Sequence, residues 1–164
     1  MSYEMAKPGL IEANVIELRP YQTGAIQSLY KFWNDEKGNP LIVLPTGTGK
    51  SVVLAQFIRE ALEWGNTRIV VLTHVKELIE QDYNETMGLF PECPSGIYSA
   101  GLGRRDIEAQ VLFAGIQSIY KRAYELKWAD LVIIDEAHLI PTNSDTMYRR
   151  FLDDVKHINP LVKF

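Results

Sequence analysis

The chain has 164 residues, a net charge of −4, and 46% hydrophobic against 23% charged residues, the balance of one folded domain and not of a disordered chain. Its charge is spread evenly: residues 1–82 carry eight Lys/Arg against ten Asp/Glu, and residues 83–164 carry nine against eleven, so any polyanion has to be held by local donors and helix ends. No apolar run approaches the ~18 residues of a membrane span, Glu4, Glu12 and Glu17 break up the place of a signal peptide, and the single Cys93 excludes an internal disulfide framework, which points to a reducing, cytoplasmic setting.

Residues 1–18 contain Pro8-Gly9 and little periodicity, and read as an irregular arm. From Tyr21, the residues Ala25, Ile26, Leu29, Tyr30 and Trp33 recur at helical spacing. Arg19-Pro20 opens that helix and Gly38-Asn39-Pro40 closes it. Residues 41–44 (Leu-Ile-Val-Leu) then form a short apolar run, followed by a helical stretch over 51–63. Similar runs at 68–73, 110–114 and 131–135 are separated by helical stretches, of which 75–87 and 145–155 are the clearest. A shorter piece at 96–99 adds a candidate strand. Runs apolar on both faces, alternating with amphipathic helices, predict an α/β domain: three αβα layers around a mainly parallel sheet. Residues 161–164 (Leu-Val-Lys-Phe) read as the start of a further strand.

Between the first run and its helix stands Pro45-Thr46-Gly47-Thr48-Gly49-Lys50-Ser51. Gly47 and Gly49 admit backbone conformations and close approaches that a Cβ forbids. Successive N–H groups of Thr46, Gly47, Thr48 and Gly49, together with the positive end of the following helix, then surround phosphates. Lys50 supplies a mobile charge for the β- and γ-phosphates, and the Ser51 hydroxyl a ligand for Mg²⁺. The full pattern has a further glycine near Leu44, which this chain lacks.

Asp135-Glu136-Ala137-His138 follows the last apolar run directly. A strand end places Asp135 at the carboxyl edge of the sheet, the edge where open α/β sheets bind ligands. There Asp135 can hold Mg²⁺ and Glu136 can activate a water.

These two motifs resemble the first RecA-like domain of the superfamily 2 DEAD/DEAH-box helicases, a P-loop NTPase fold. The likeness extends to Leu18-Arg19-Pro20-Tyr21-Gln22, which is similar to the adenine-recognition motif of that family. It includes the segment from Thr73 through His74, Val75 and Lys76 to Gln81, similar to motif Ia, and Ala114-Gly115-Ile116-Gln117-Ser118-Ile119, similar to a later nucleic-acid-contacting motif. The combination, including Gly101-Leu102-Gly103-Arg104-Arg105, resembles the RadD-type DNA-repair ATPases.

The resemblance implies an ATP- and Mg²⁺-dependent DNA helicase or translocase, with residues 19–164 as its ATP-binding domain. That domain would stop before motif III, with a second RecA-like domain outside these residues. It implies Arg19 and Gln22 on adenine, with His138 coupling the acidic box to its neighbours. Thr73, His74, Lys76, Gln117 and Ser118 would lie on the DNA backbone. A nucleotide-switched DNA-docking domain that never translocates is the alternative.

Overall fold

The computed structural model describes residues 16–142 and 146–164; the arm expected over 1–18 lies almost wholly outside them. In chain order the elements are α1 (Pro20–Asp35), α2 (Lys50–Leu62), β1 (Ile69–Thr73), α3 (Lys76–Leu89), β2 (Ser95–Ser99), β3 (Arg104–Arg105), β4 (Val111–Gly115), α4 (Ile116–Ile119), β5 (Leu131–Ile134) and α5 (Met147–Ile158). Among the described residues, no helix is long and apolar enough to cross a membrane.

The strands form one sheet in the order β3-β2-β4-β1-β5. All pairs are parallel except the short β2–β3 hairpin. The period-two alternation of strand side chains divides the core. Ile69, Val71, Val111 and Phe113 face α1, α2 and α3, while Val70, Leu72, Leu112 and Val132 face α4 and α5. Both faces are thus covered, as continuous apolar runs require. An edge-to-face cluster of Tyr30, Trp33, Phe57 and Trp64 locks α1 onto α2, so Trp33 and Trp64 serve packing.

One expectation fails. Residues 41–44 do not join the sheet, and Leu41 and Val43 remain 71% and 79% exposed. An apolar run becomes a strand only if a neighbour offers backbone partners. Here the outer side of β5 is met at its start by Lys163, which exchanges hydrogen bonds with Asp130 and Val132, and residues 41–44 find no partner strand among the described residues.

Because β1, β2, β4 and β5 run parallel, their carboxyl ends share one edge. Thr73, Ser99, Gly115 and Asp135 are consequently neighbours along it, although the sequence spreads them over more than sixty positions.

Candidate active site and nucleic-acid face

Local sequence sets up the loop at 45–51. Gly47 and Gly49 both adopt a φ of +79°, in the left-handed region that L side chains disfavour. Thr48 closes the turn through its hydroxyl, which donates to Pro45 O at 2.6 Å. Gly49 then caps α2, whose first-turn N–H groups have no intrahelical acceptor and lie at its positive end.

The loop is also tied from outside. Gln22 is buried at 3% exposure and its amide donates to Thr48 O at 3.0 Å, while its Oε1 accepts from Arg19 N at 2.8 Å. The Tyr21 hydroxyl donates to the same Thr48 carbonyl at 2.6 Å. Gln22 is thus a strut of the loop, its donors and acceptor spent within the protein, and Arg19 is exposed beside it.

Asp135 continues β5, with its N–H on Leu72 O, and reaches the loop from across the sheet edge. Lys50 Nζ stands 2.8 Å from Asp135 Oδ1 and forms an ion pair with Glu136 Oε1 as well. Burial works against the ammonium charge, but the bonds to the two carboxylates outweigh it and raise the Lys50 pKa. The same lysine holds the Glu136 carboxyl below its ordinary range. Glu136 itself has a φ of +52°, an uncommon conformation for a residue with a Cβ. His138 lies 3.2 Å from its other oxygen.

Beneath this pair sits Asp82 of α3, 5% exposed. Burial, and then the charge of Asp135, pushes its carboxyl up to about 8, so it is predominantly protonated at neutral pH. Asp82 Oδ2 and Asp135 Oδ2 are both buried, and the protonated Asp82 carboxyl donates to its Asp135 neighbour.

Farther along the edge the candidate nucleic-acid residues separate into two groups. Lys76, at the start of α3, lies against Gly101: a Cβ at Gly101 would stand 3.3 Å from Lys76 Cδ. Ala100 N donates to Ser118 Oγ at 2.9 Å, and Gln117 beside it is exposed. Lys76, Gln117 and Ser118 therefore form one continuous face. Thr73 does not belong to it, because its side chain is wholly buried at the end of a central strand. His74 turns the other way and stacks on Tyr148 of α5, with ring centroids 6.5 Å apart. The resemblance implies both on the nucleic-acid face; in this arrangement the Thr73 side chain is buried under the sheet edge and the His74 ring lies on Tyr148.

Residues 15–163 match the family described as type III restriction enzyme, res subunit. The chain belongs to that family. It is an ATP-binding domain of the superfamily 2 helicase type, with a RecA-like core. No sequence among the curated proteins matches it. Among solved structures it is similar to the UvsW helicase from bacteriophage T4, with a TM-score of 0.67, 20% identity, and 89% of this chain covering 50% of that one. It is also similar to the Sulfolobus solfataricus SWI2/SNF2 ATPase core in complex with dsDNA, with a TM-score of 0.64, 17% identity, and 90% of this chain covering 31% of that one. Both likenesses are of fold, and the chain spans half or less of either relative.

For this member of the res subunit family, two residues of the site have no role assigned from sequence. Nothing in the pentapeptide around Tyr21 shows that its hydroxyl crosses to Thr48. Asp82 did leave a signal: it shares the buried face of α3 with Ile79 and Thr86, and an acid on an apolar helix face is seldom idle.

Proposed function

We propose that this chain is the first of two motor domains of a DNA helicase or translocase of the RadD type, acting in DNA repair, in which ATP + H₂O → ADP + phosphate drives movement along DNA. What carries the reading is that Lys50, Asp135 and Glu136 meet at the same sheet edge that bears Lys76 and Ser118. A phosphate contact and a nucleic-acid contact on one edge can be coupled by small movements of that edge. In this reading residues 19–164 form one domain and the second lies outside them.

The residues fit a magnesium nucleotide. The left-handed glycines open the loop backbone to phosphates, and Asp135 is bonded through Oδ1 to Lys50 of the first turn of α2, the turn that also carries Ser51. Ser51 and Asp135 would hold Mg²⁺, which when bound neutralises charge on the phosphate oxygens. Thr46, Gly47, Thr48 and Gly49 cradle the phosphates, while Lys50 leaves its carboxylates for the β- and γ-phosphates. Its departure relieves Glu136 of the partner that holds its carboxyl low, which makes Oε1 a better acceptor for a proton from the attacking water. Arg19 stacks on adenine, and Gln22, swung from Thr48, reads its N6/N7 edge. His138 links Glu136 to whatever packs above it.

The test is ATP turnover and strand displacement by the complete protein, with Glu136→Gln as comparison. We expect Glu136→Gln to bind ATP without turning it over. Intact ATP and DNA binding without displacement or translocation would favour the docking alternative, and no ATP binding at all would end both. The 164 residues alone should hydrolyse ATP hardly at all, since an arginine supplied by a second domain accounts for ~10³–10⁵-fold in rate.

A further inference from the structure

Thr73 ends β1 with its side chain wholly buried, and its hydroxyl has no hydrogen-bond partner. The other members of that strand are Ile69, Val70, Val71 and Leu72. Valine has the shape of threonine without the polar atom, so an unpaired hydroxyl here is a cost that packing alone does not explain. The sheet register shows what surrounds it. On one side Thr73 pairs with Gly115 of β4, and the space over that glycine belongs to Ile79, whose Cδ1 would lie 2.9 Å from a Cβ there. That side is apolar.

On the other side stands Asp135. The ladder runs from Ile69 opposite Leu131 to Leu72 opposite Ile134. Asp135 N donates to Leu72 O at 2.9 Å, which continues the same register and sets Asp135 opposite Thr73. Neighbouring strands lie ~4.8 Å apart, and alternation puts both side chains on the face that carries Ile69, Val71, Leu131 and Ile133. Asp135 is itself 8% exposed. It takes bonds from Lys50 of α2 through Oδ1 and from Asp82 of α3. Two carboxylate oxygens together accept about four, so acceptor capacity remains beside the buried hydroxyl.

We propose that Thr73 is a positioning residue for Asp135: its hydroxyl donates to the carboxylate when Lys50 moves to phosphate, and so holds it in the orientation that takes a divalent cation. The inference rests on the reading of Asp135 as a magnesium ligand. Departure of Lys50 removes the bond at Oδ1 and frees the carboxylate to turn. A donor on the adjacent strand, carried by a β-branched side chain of restricted χ1, fixes one oxygen while the other faces the cation. Hydrogen bonds of this kind to a ligating group are worth ~10–100-fold in metal affinity.

The experiment measures ATP affinity of the full chain by calorimetry in magnesium chloride and in EDTA, and reads the ratio of the two. Thr73→Val keeps the shape and removes the hydroxyl. Its ratio should fall by about tenfold or more, with affinity in EDTA unchanged and a melting temperature equal to or above that of the unaltered chain. Thr73→Ala also lacks the hydroxyl and should lose a similar factor, whereas Thr73→Ser should keep the ratio. Asp135→Asn separates the two claims. If it removes the magnesium dependence and Thr73→Val leaves it intact, the positioning role falls and the metal site stands. If Asp135→Asn leaves the dependence intact, or the unaltered chain shows no such dependence or binds no ATP, the reading of the site falls and the positioning role with it. A loss from Thr73→Val that is equal in magnesium and in EDTA would overturn the role too, as would weaker binding of single-stranded oligo-thymidine at an unchanged ratio.

Discussion

Lys50 and Asp135 meet Nζ to Oδ1 at 2.8 Å, and the same ammonium reaches Glu136. The acidic end of β5 is neutralised by the cation at the start of α2. One ammonium thus ties the loop to the end of β5 through two carboxylates.

Lys50→Ala should consequently do two things. It removes charge-assisted contacts to phosphate, at ~1.5–3 kcal/mol each, so ATP affinity measured by calorimetry should fall by about a hundredfold or more. It also strips the counter-charge from Asp135 and Glu136, so the melting temperature without nucleotide should drop. Unchanged ATP affinity would contradict the assignment of the loop.

Gly49 is held by both conformation and contact. A Cβ there would lie 2.6 Å from Gln22 Nε2, on a residue with φ of +79°. Gly49→Ala should lower stability by about 2 kcal/mol in urea unfolding, from left-handed strain of ~1–2 kcal/mol and a disturbed hydrogen bond. In a Gln22→Ala background the added cost should shrink, because the clashing amide is gone. Additive losses would show that the strut does not constrain the loop.

Gln22→Ala has a separate readout. If the freed amide reads adenine, the preference for ATP over GTP should narrow; equal loss for both nucleotides would leave Gln22 as a strut alone.

Lys76→Ala should weaken binding of single-stranded DNA to a similar degree for all sequences, and reduce the slope of affinity against salt by about 0.7. A loss confined to particular bases would argue against a phosphate contact.

Asp82 gives the domain a pH dependence. Its carboxyl is pushed up to about 8 by burial and by Asp135, against ~3.9 in an unfolded chain. The folded state therefore binds the extra proton, and this residue's favourable contribution is complete below pH ~4 and lost progressively as pH rises to about 8. In the chain kept free of nucleotide and metal with a chelator, Asp82→Asn should be more stable than the unaltered protein above neutral pH, by a few kcal/mol at most. The advantage should disappear near pH ~4. A constant difference across that range would mean that Asp82 is charged or exposed.

Much of the fold was legible in residue order. The helix from Pro20, the β1, β4 and β5 runs and the loop at 45–51 each carry a local signal, either periodicity or glycine placement, that needs no knowledge of neighbours. Residues 41–44 carried the same apolar signal and did not become a strand, because pairing depends on an adjacent backbone. Thr73 and His74 sit beside Lys76 in sequence, yet one is buried in the sheet and the other lies on Tyr148.

The sequence by itself determined the chemistry on offer: which residues can bend around phosphate, which can hold a metal, and which strands must be covered on both faces. These follow from side-chain type and short-range spacing, and both are written in the chain. The tertiary structure alone decided the partnerships: Lys50 with carboxylates more than eighty positions away, Tyr21 and Gln22 with Thr48, and Asp82 beneath Asp135. Parallel strand order and helix packing set those distances, and no local pattern encodes them.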